Sequence, residues 1–70
     1  MTKLEEAISE AWKNAWEGGY EDFLREESVE EIAIDMMQFD EEVSWRCTDE
    51  EDVEAVEKII EQLKMEYGCG

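Results

Sequence analysis

The 70-residue chain contains 22 acidic and six basic residues and no histidine, which gives a formal net charge of −16. Direct binding to nucleic acid or to an anionic membrane is disfavoured because those surfaces carry the same sign. Without histidine, the usual zinc sites and His-based triads are excluded. A chain of this length forms one domain, residues 1–70, whose core is small.

The N-terminal segment predicts an amphipathic helix. Thr2 and Glu5 have the spacing of a capping box. Apolar residues then recur at steps of four and three along one face: Leu4, Ile8, Ala11 and Ala15, widened by Ala7, Trp12 and Trp16. Trp12 is expected in the core, and Trp16 at its edge or on the floor of a pocket. Gly18 and Gly19 are expected to end the helix.

Two further helical segments follow. Residues 20–27 predict a short helix with three inward side chains, Tyr20, Phe23 and Leu24. Ser28 and Glu31 form a second capping box that opens a helix over residues 29–39. Its inner stripe is expected to contain Val29, Ile32, Ala33, Met36 and Phe39.

Ile34 and Met37 lie off that stripe, so the second long helix is apolar over a broad arc. The favoured interpretation is a central helix packed on two sides. The alternative is an exposed contact for a protein partner or for a second copy, which would make the chain a homodimer.

Residues 40–47 break the helical period, and residues 43–47 are compatible with a loop or a short extended stretch. The sequence leaves open whether they form strand, loop or helix. Trp45 is expected to close the end of the core, with an exposed binding anchor as the alternative. Arg46 is expected to pair with a nearby acid.

The C-terminal segment predicts the third long helix. Thr48 and Glu51 form a third capping box, and Gly68 is expected to stop the helix. The expected buried residues are Val53, Val56, Ile60, Leu63 and Tyr67. Together the segments predict an all-α fold, a small bundle of three main helices plus a short helical segment.

Acidic residues form a row on this last helix. Glu50, Glu54, Glu57 and Glu61 are spaced four, three and four residues apart, so they fall within about a 60° arc. Lys58 and Lys64 are placed to pair with Glu54 and Glu61, but two lysines do not neutralise the row. Residues 21–57 carry sixteen acids against two arginines, whereas residues 1–19 carry four acids against two lysines.

Other chemistries find little support in the sequence. Two segments that begin with aspartate, residues 35–46 and 49–60, have the length of an EF-hand calcium loop. Neither has the glycine that an EF-hand requires at its sixth position. No second catalytic group accompanies the carboxylates, so we expect no enzymatic activity, no cofactor and no specific metal site. Residues 27–37 distantly resemble the serine-bearing helix start of acyl carrier proteins, which would make Ser28 a phosphopantetheine site. Ser28 is, however, already explained as a helix cap.

The small size, extreme acidity and helical build resemble those of phage-encoded counter-defence inhibitors, such as DNA mimics and proteins of the anti-CRISPR and anti-restriction type. The resemblance implies an inhibitor whose acidic face occupies a basic nucleic-acid-binding surface of a host protein or complex. The expected partner-binding residues are Asp40, Glu41, Glu42, Trp45, Asp49, Glu50, Glu54, Glu57 and Glu61. A helical adaptor that binds a protein through Ile34 and Met37 is the main alternative.

The cellular location is expected to be cytoplasmic. The N-terminus lacks the apolar region and cleavage site of a signal peptide, and no apolar run approaches the length of a membrane span. Cys47 and Cys69 are too few for a disulfide scaffold, so reduced thiols in a cytosol are the simplest interpretation.

Overall fold

The structure, a computed structural model, describes residues 3–47 and 49–68. These residues form α1 (Lys3–Ala15), α2 (Glu21–Glu26), α3 (Val29–Phe39), α4 (Glu41–Arg46) and α5 (Glu50–Glu66), with a π-helical turn (Trp16–Tyr20) between α1 and α2. The described ranges contain no strand. The predicted all-α bundle is confirmed: α1, α3 and α5 are the three main helices, and α2 is the predicted short one.

The core lies where α5 packs against both α1 and α3. Its most deeply buried side chains are Ile8, Trp12, Leu24, Ile32, Val43, Val56 and Ile60. Burial of each large apolar side chain contributes about 1.5–3 kcal/mol relative to exposure. Each of the five α-helices in the described residues supplies at least one of these residues, so the short helices α2 and α4 pack on the same core as the long ones.

Capping residues set the helix starts. The Ser28 hydroxyl accepts a hydrogen bond from the Glu31 N–H at 3.3 Å, which confirms the start of α3. The predicted cap Thr2 lies outside the described residues, as does Thr48. The cap of α5 is Asp49, one residue later than predicted, and its N–H donates to the Asp52 carboxylate at 3.2 Å. Aspartate is as good a cap as threonine, so the spacing alone did not separate the two registers.

Glycines lie at the two predicted helix ends. Gly19 has a φ of 101° inside the turn that follows α1, and Gly68 has a φ of 74° after α5. A side chain at these φ values strains the backbone, whereas glycine does not. Both predicted stops are confirmed.

The sequence left the conformation of residues 40–47 open and was compatible with a loop or extended stretch over 43–47, but the segment contains the helix α4. The Asp40 carboxylate caps the helix by accepting a hydrogen bond from the Val43 N–H at 3.1 Å. Val43 is fully buried and fastens the helix to the core. A helix of six residues with one buried side chain shows no repeating period, which is why the pattern did not reveal it.

The aromatic residues divide between core and surface. Trp12 is buried and Trp16 is half-buried, as predicted. Tyr67, predicted to be buried, is 38% exposed, but its ring packs 5.7 Å from Trp12 and 4.8 Å from Trp16 between centroids. The predictions that Tyr20 and Phe39 turn inward are wrong, since they are 64% and 79% exposed.

Candidate acidic interface

The acidic row of α5 lies on the outside of the molecule. Glu50, Glu54 and Glu61 are exposed, and Glu57 is half-buried. Glu50 and Glu61 are eleven helical steps apart, about 17 Å, so the four carboxylates follow the helix for most of its length. The sequence therefore placed this row correctly, on a surface that a partner can reach.

The two lysines spaced to pair with residues of the row do not pair with them in the described residues. Neither Lys58 with Glu54 nor Lys64 with Glu61 forms an ion pair in the described part of the chain. The Lys64 ammonium instead donates a hydrogen bond to the Glu27 carbonyl oxygen, at the junction of α2 and α3. The row therefore keeps its negative charge.

The acids around α4 have more local roles than those of the row. Asp40 is half-buried and caps α4, and the Glu42 carboxylate pairs with the Arg46 guanidinium at 3.3 Å. The predicted local pairing of Arg46 is thus confirmed. Asp49 is exposed at the cap of α5, and Glu41 is exposed in the first turn of α4. Among the four predicted interface acids in this region, Asp40, Glu41, Glu42 and Asp49, the carboxylates of Glu41 and Asp49 are the most accessible to a partner.

The prediction that Trp45 closes the core is wrong, because its side chain is 74% exposed. Val43 occupies the core position of α4, and two residues further along a helix is a rotation of about 200°, which points Trp45 outward. The Arg46 guanidinium lies 5.4 Å from the centre of its ring, a cation–π contact. The alternative, an exposed anchor, agrees with this placement.

Trp45 lies near the first turn of α5. A shallow cleft of about 360 Å³ is lined by Leu4, Trp45, Arg46 and Asp52, and Asp52 belongs to the first turn of α5. Asp52 follows Glu50 by two residues, a rotation of about 200°, so this cleft lies on a different side of α5 from the acidic row.

The apolar surface proposed for an adaptor is smaller than predicted. Ile34 is 41% exposed, whereas Met37 packs against the core and is half-buried. The packing of Met37 agrees with the interpretation of a helix packed on two sides. Ile34 remains as the accessible part of this surface.

Cys47 is a free, half-buried cysteine. Burial raises the pKa of the Cys47 thiol, and the nearby charge of Asp52 raises it further, so this thiol stays protonated at neutral pH. Within residues 3–47 and 49–68, no group of three or more Cys, Asp or Glu side chains is arranged to hold a metal ion.

Neither the helix lengths nor the comparisons with known proteins assign a function to this chain. In the described ranges, every helix is too short or too polar to cross a bilayer. Comparison with protein-family models, with curated proteins and with solved structures finds no match to this chain.

Proposed function

We propose that this chain is a non-enzymatic inhibitor that binds a basic nucleic-acid-binding surface of a host protein or defence complex. Its acidic face takes the place of nucleic-acid phosphates and blocks access of DNA or RNA. The observation that carries the proposal is the row on α5, three exposed carboxylates and the half-buried Glu57 on one face, with no lysine paired to them in the part of the chain that the structure describes.

The spacing of charge along α5 supports phosphate mimicry. Seven acids lie between Asp49 and Glu61, a stretch of about 20 Å at 1.5 Å per residue. This is about one charge per 3 Å, close to the ~3.4 Å per charge along one DNA strand. Four of these seven acids share the face of the row, so a partner that contacts this face meets them at intervals of about 5–6 Å.

In this proposal Trp45 supplies the binding specificity that charge alone does not provide. A purely electrostatic surface would bind many basic proteins, whereas specificity needs contacts that fit one partner. Tryptophan is enriched among the residues that dominate binding energy in interfaces. An exposed tryptophan near the first turn of α5 can therefore select among basic surfaces that extend around this end of the helix.

A second candidate function is a protein adaptor that binds through the surface around Ile34. The 41% exposure of this isoleucine favours it. Binding through an apolar patch depends little on salt, whereas binding through the acidic row weakens as salt screens it. The substitution Ile34→Asp would abolish adaptor binding and leave binding through α5 largely intact.

Charge reversal tests the proposed function. The triple variant Glu50→Lys, Glu54→Lys and Glu57→Lys is compared with a control, Glu6→Lys, Glu10→Lys and Glu17→Lys. The control residues are exposed in α1 and the turn that follows it, share one helical face, and give the same change in net charge.

Each protein is immobilised and exposed to bacterial proteins retained on heparin, which are enriched in basic nucleic-acid-binding surfaces. We expect the wild type and the control to retain a partner that DNA or RNA displaces, and the α5 variant to lose it. Reversing three contacts at about 1–2 kcal/mol each lowers affinity by roughly 10²- to 10⁴-fold. Equal loss in both variants, with helical circular dichroism intact, would show that net charge alone matters and would reject the acidic row as the interface.

A further inference from the structure

An open cleft of about 600 Å³ lies among α1, α2 and α3. Its floor includes Leu24 and Ile32, both fully buried, and α1 contributes Ala11, Ala15 and the exposed Asn14 to its wall. Alanine side chains are too short to fill the space between the helices. The cleft is therefore a consequence of the small residues on this side of α1.

Two exposed aromatic rings border the cleft. Tyr20 precedes α2 and Phe39 ends α3, and their side chains are 64% and 79% exposed. Aromatic residues are enriched at the centres of protein interfaces relative to the rest of the surface. Two exposed aromatic rings lining one apolar cleft give a surface suited to a bulky apolar side chain.

A carboxylate without a partner lies in the same cleft. Asp35 is half-buried among the lining residues, and within the described ranges it makes no hydrogen bond or ion pair. Asp40 also lines the cleft and uses its carboxylate to cap α4. Unpaired negative charge at an apolar surface favours a ligand that brings a positive charge with its apolar group.

The net charge of the chain distinguishes between two possible occupants of the cleft, a second copy of the chain and a basic partner. A second copy would bring a further net charge of −16 to the contact, and like charges brought together at an interface cost several kcal/mol. A basic partner gains from the same field. Charge complementarity therefore points to a positively charged partner rather than to self-association.

We propose that this cleft binds a basic amphipathic helix or peptide segment of a partner protein. The segment places one or two bulky apolar side chains between Tyr20 and Phe39 and a lysine or arginine beside Asp35. The cleft volume of about 600 Å³ falls within the ~300–1,000 Å³ typical of binding pockets. An amphipathic helix in an apolar groove is a recurrent mode of protein recognition.

This inference rests on the proposed function only in taking the partner to be basic. Residues of the α5 row do not line the cleft, so the two surfaces can be tested separately. A partner that engages both would contact the row through a nucleic-acid site and the cleft through a protruding segment.

The test uses a defined probe, a labelled helical peptide of leucine and lysine, and a matched peptide in which alanine replaces each leucine. Binding is measured by fluorescence polarisation at about 0.3 M salt, where the Debye length of roughly 6 Å suppresses long-range attraction. We expect saturable binding of the leucine peptide and at least about tenfold weaker binding of the alanine peptide. Equal affinity for the two peptides, or no binding of either, would overturn the proposal.

Variants locate the binding. Phe39→Ala is expected to weaken binding about tenfold, and Asp35→Asn about threefold or more. The matched controls are Met65→Ala, at a methionine that is 71% exposed on α5, and Asp22→Asn, at an exposed aspartate of α2. Tyr20→Ala serves as a second cleft variant should Phe39→Ala fold poorly.

Equal effects of the cleft variants and their controls would overturn the assignment to the cleft. The triple lysine variant of the α5 row should bind the leucine peptide within a few-fold of wild type. If it loses the peptide as fully as Phe39→Ala does, the peptide binds the acidic row and the cleft proposal fails. Failure of the proposed function shows separately, as retention of the heparin-binding partner by the α5 variant.

Discussion

Glu57→Lys should make the protein more stable while weakening its binding to the proposed partner. Glu57 has a like charge three residues before it, Glu54, and another four residues after it, Glu61. Each such pair destabilises a helix by roughly 0.2–0.5 kcal/mol, and an opposite-charge pair stabilises it by a similar amount. The substitution removes two repulsive pairs and creates two attractive ones. The expected gain is therefore about 0.8–2 kcal/mol.

Thermal unfolding followed by circular dichroism measures this gain. For a domain of this size, 1 kcal/mol corresponds to a shift in Tm of roughly 4–8 °C. The increase should shrink in about 1 M salt, where the Debye length falls to about 3 Å. Binding to the heparin-enriched partner should weaken in the same variant, because a carboxylate of the proposed interface has been replaced by a cation.

Glu10→Lys is the matched control. It changes the net charge equally, and it exchanges the repulsion from Glu6 for attraction while losing an attractive spacing to Lys13. These local terms nearly cancel, so the control reports the effect of net charge alone. If Glu57→Lys is no more stable than Glu10→Lys, like-charge repulsion within the acidic row does not destabilise α5, and the prediction is refuted.

Three further predictions follow from individual side chains. Trp45→Ala should change stability by less than about 0.5 kcal/mol, since the ring is exposed, yet weaken partner binding by about tenfold or more; unchanged affinity would remove Trp45 from the interface. Ser28→Ala should cost about 1 kcal/mol by removing the cap of α3, and an unaltered Tm would contradict that role. In a Cys69→Ser background, Cys47 should be alkylated more slowly near pH 8 in the folded than in the denatured protein. Because the pKa of the Cys47 thiol is raised in the folded protein, the protonated thiol stabilises the fold at neutral pH, and this stabilisation is lost as pH rises through the folded pKa. Equal alkylation rates would contradict the raised pKa.

Much of the helical architecture was predictable because the sequence marks it locally. Ser28 caps α3 through its side chain, and Gly19 and Gly68 adopt the positive φ values that end helices. These signals act over a few residues, so they can be read without knowledge of the tertiary structure. The acidic row followed equally directly, because its residues repeat at helical spacing.

The errors arose where tertiary packing decides. Val43 holds α4 through one buried side chain, and its position in the core determines that Trp45 points outward. Phe39 ends α3 beyond the edge of the core, so its place on the apolar stripe did not ensure burial. The cleft bordered by Phe39 depends on short alanines in another helix, a relationship between distant residues that no local pattern contains.

The central claim is that the chain and nucleic acid compete for one surface of the partner. The most direct measurement uses the partner retained by the wild type but not by the α5 triple variant, with labelled DNA or RNA bound to it. Fluorescence polarisation follows the label as the wild-type chain is added. Competitive displacement, weakened by salt and absent with the triple variant, is the predicted result. A ternary complex in which the partner holds the chain and nucleic acid together would contradict the claim.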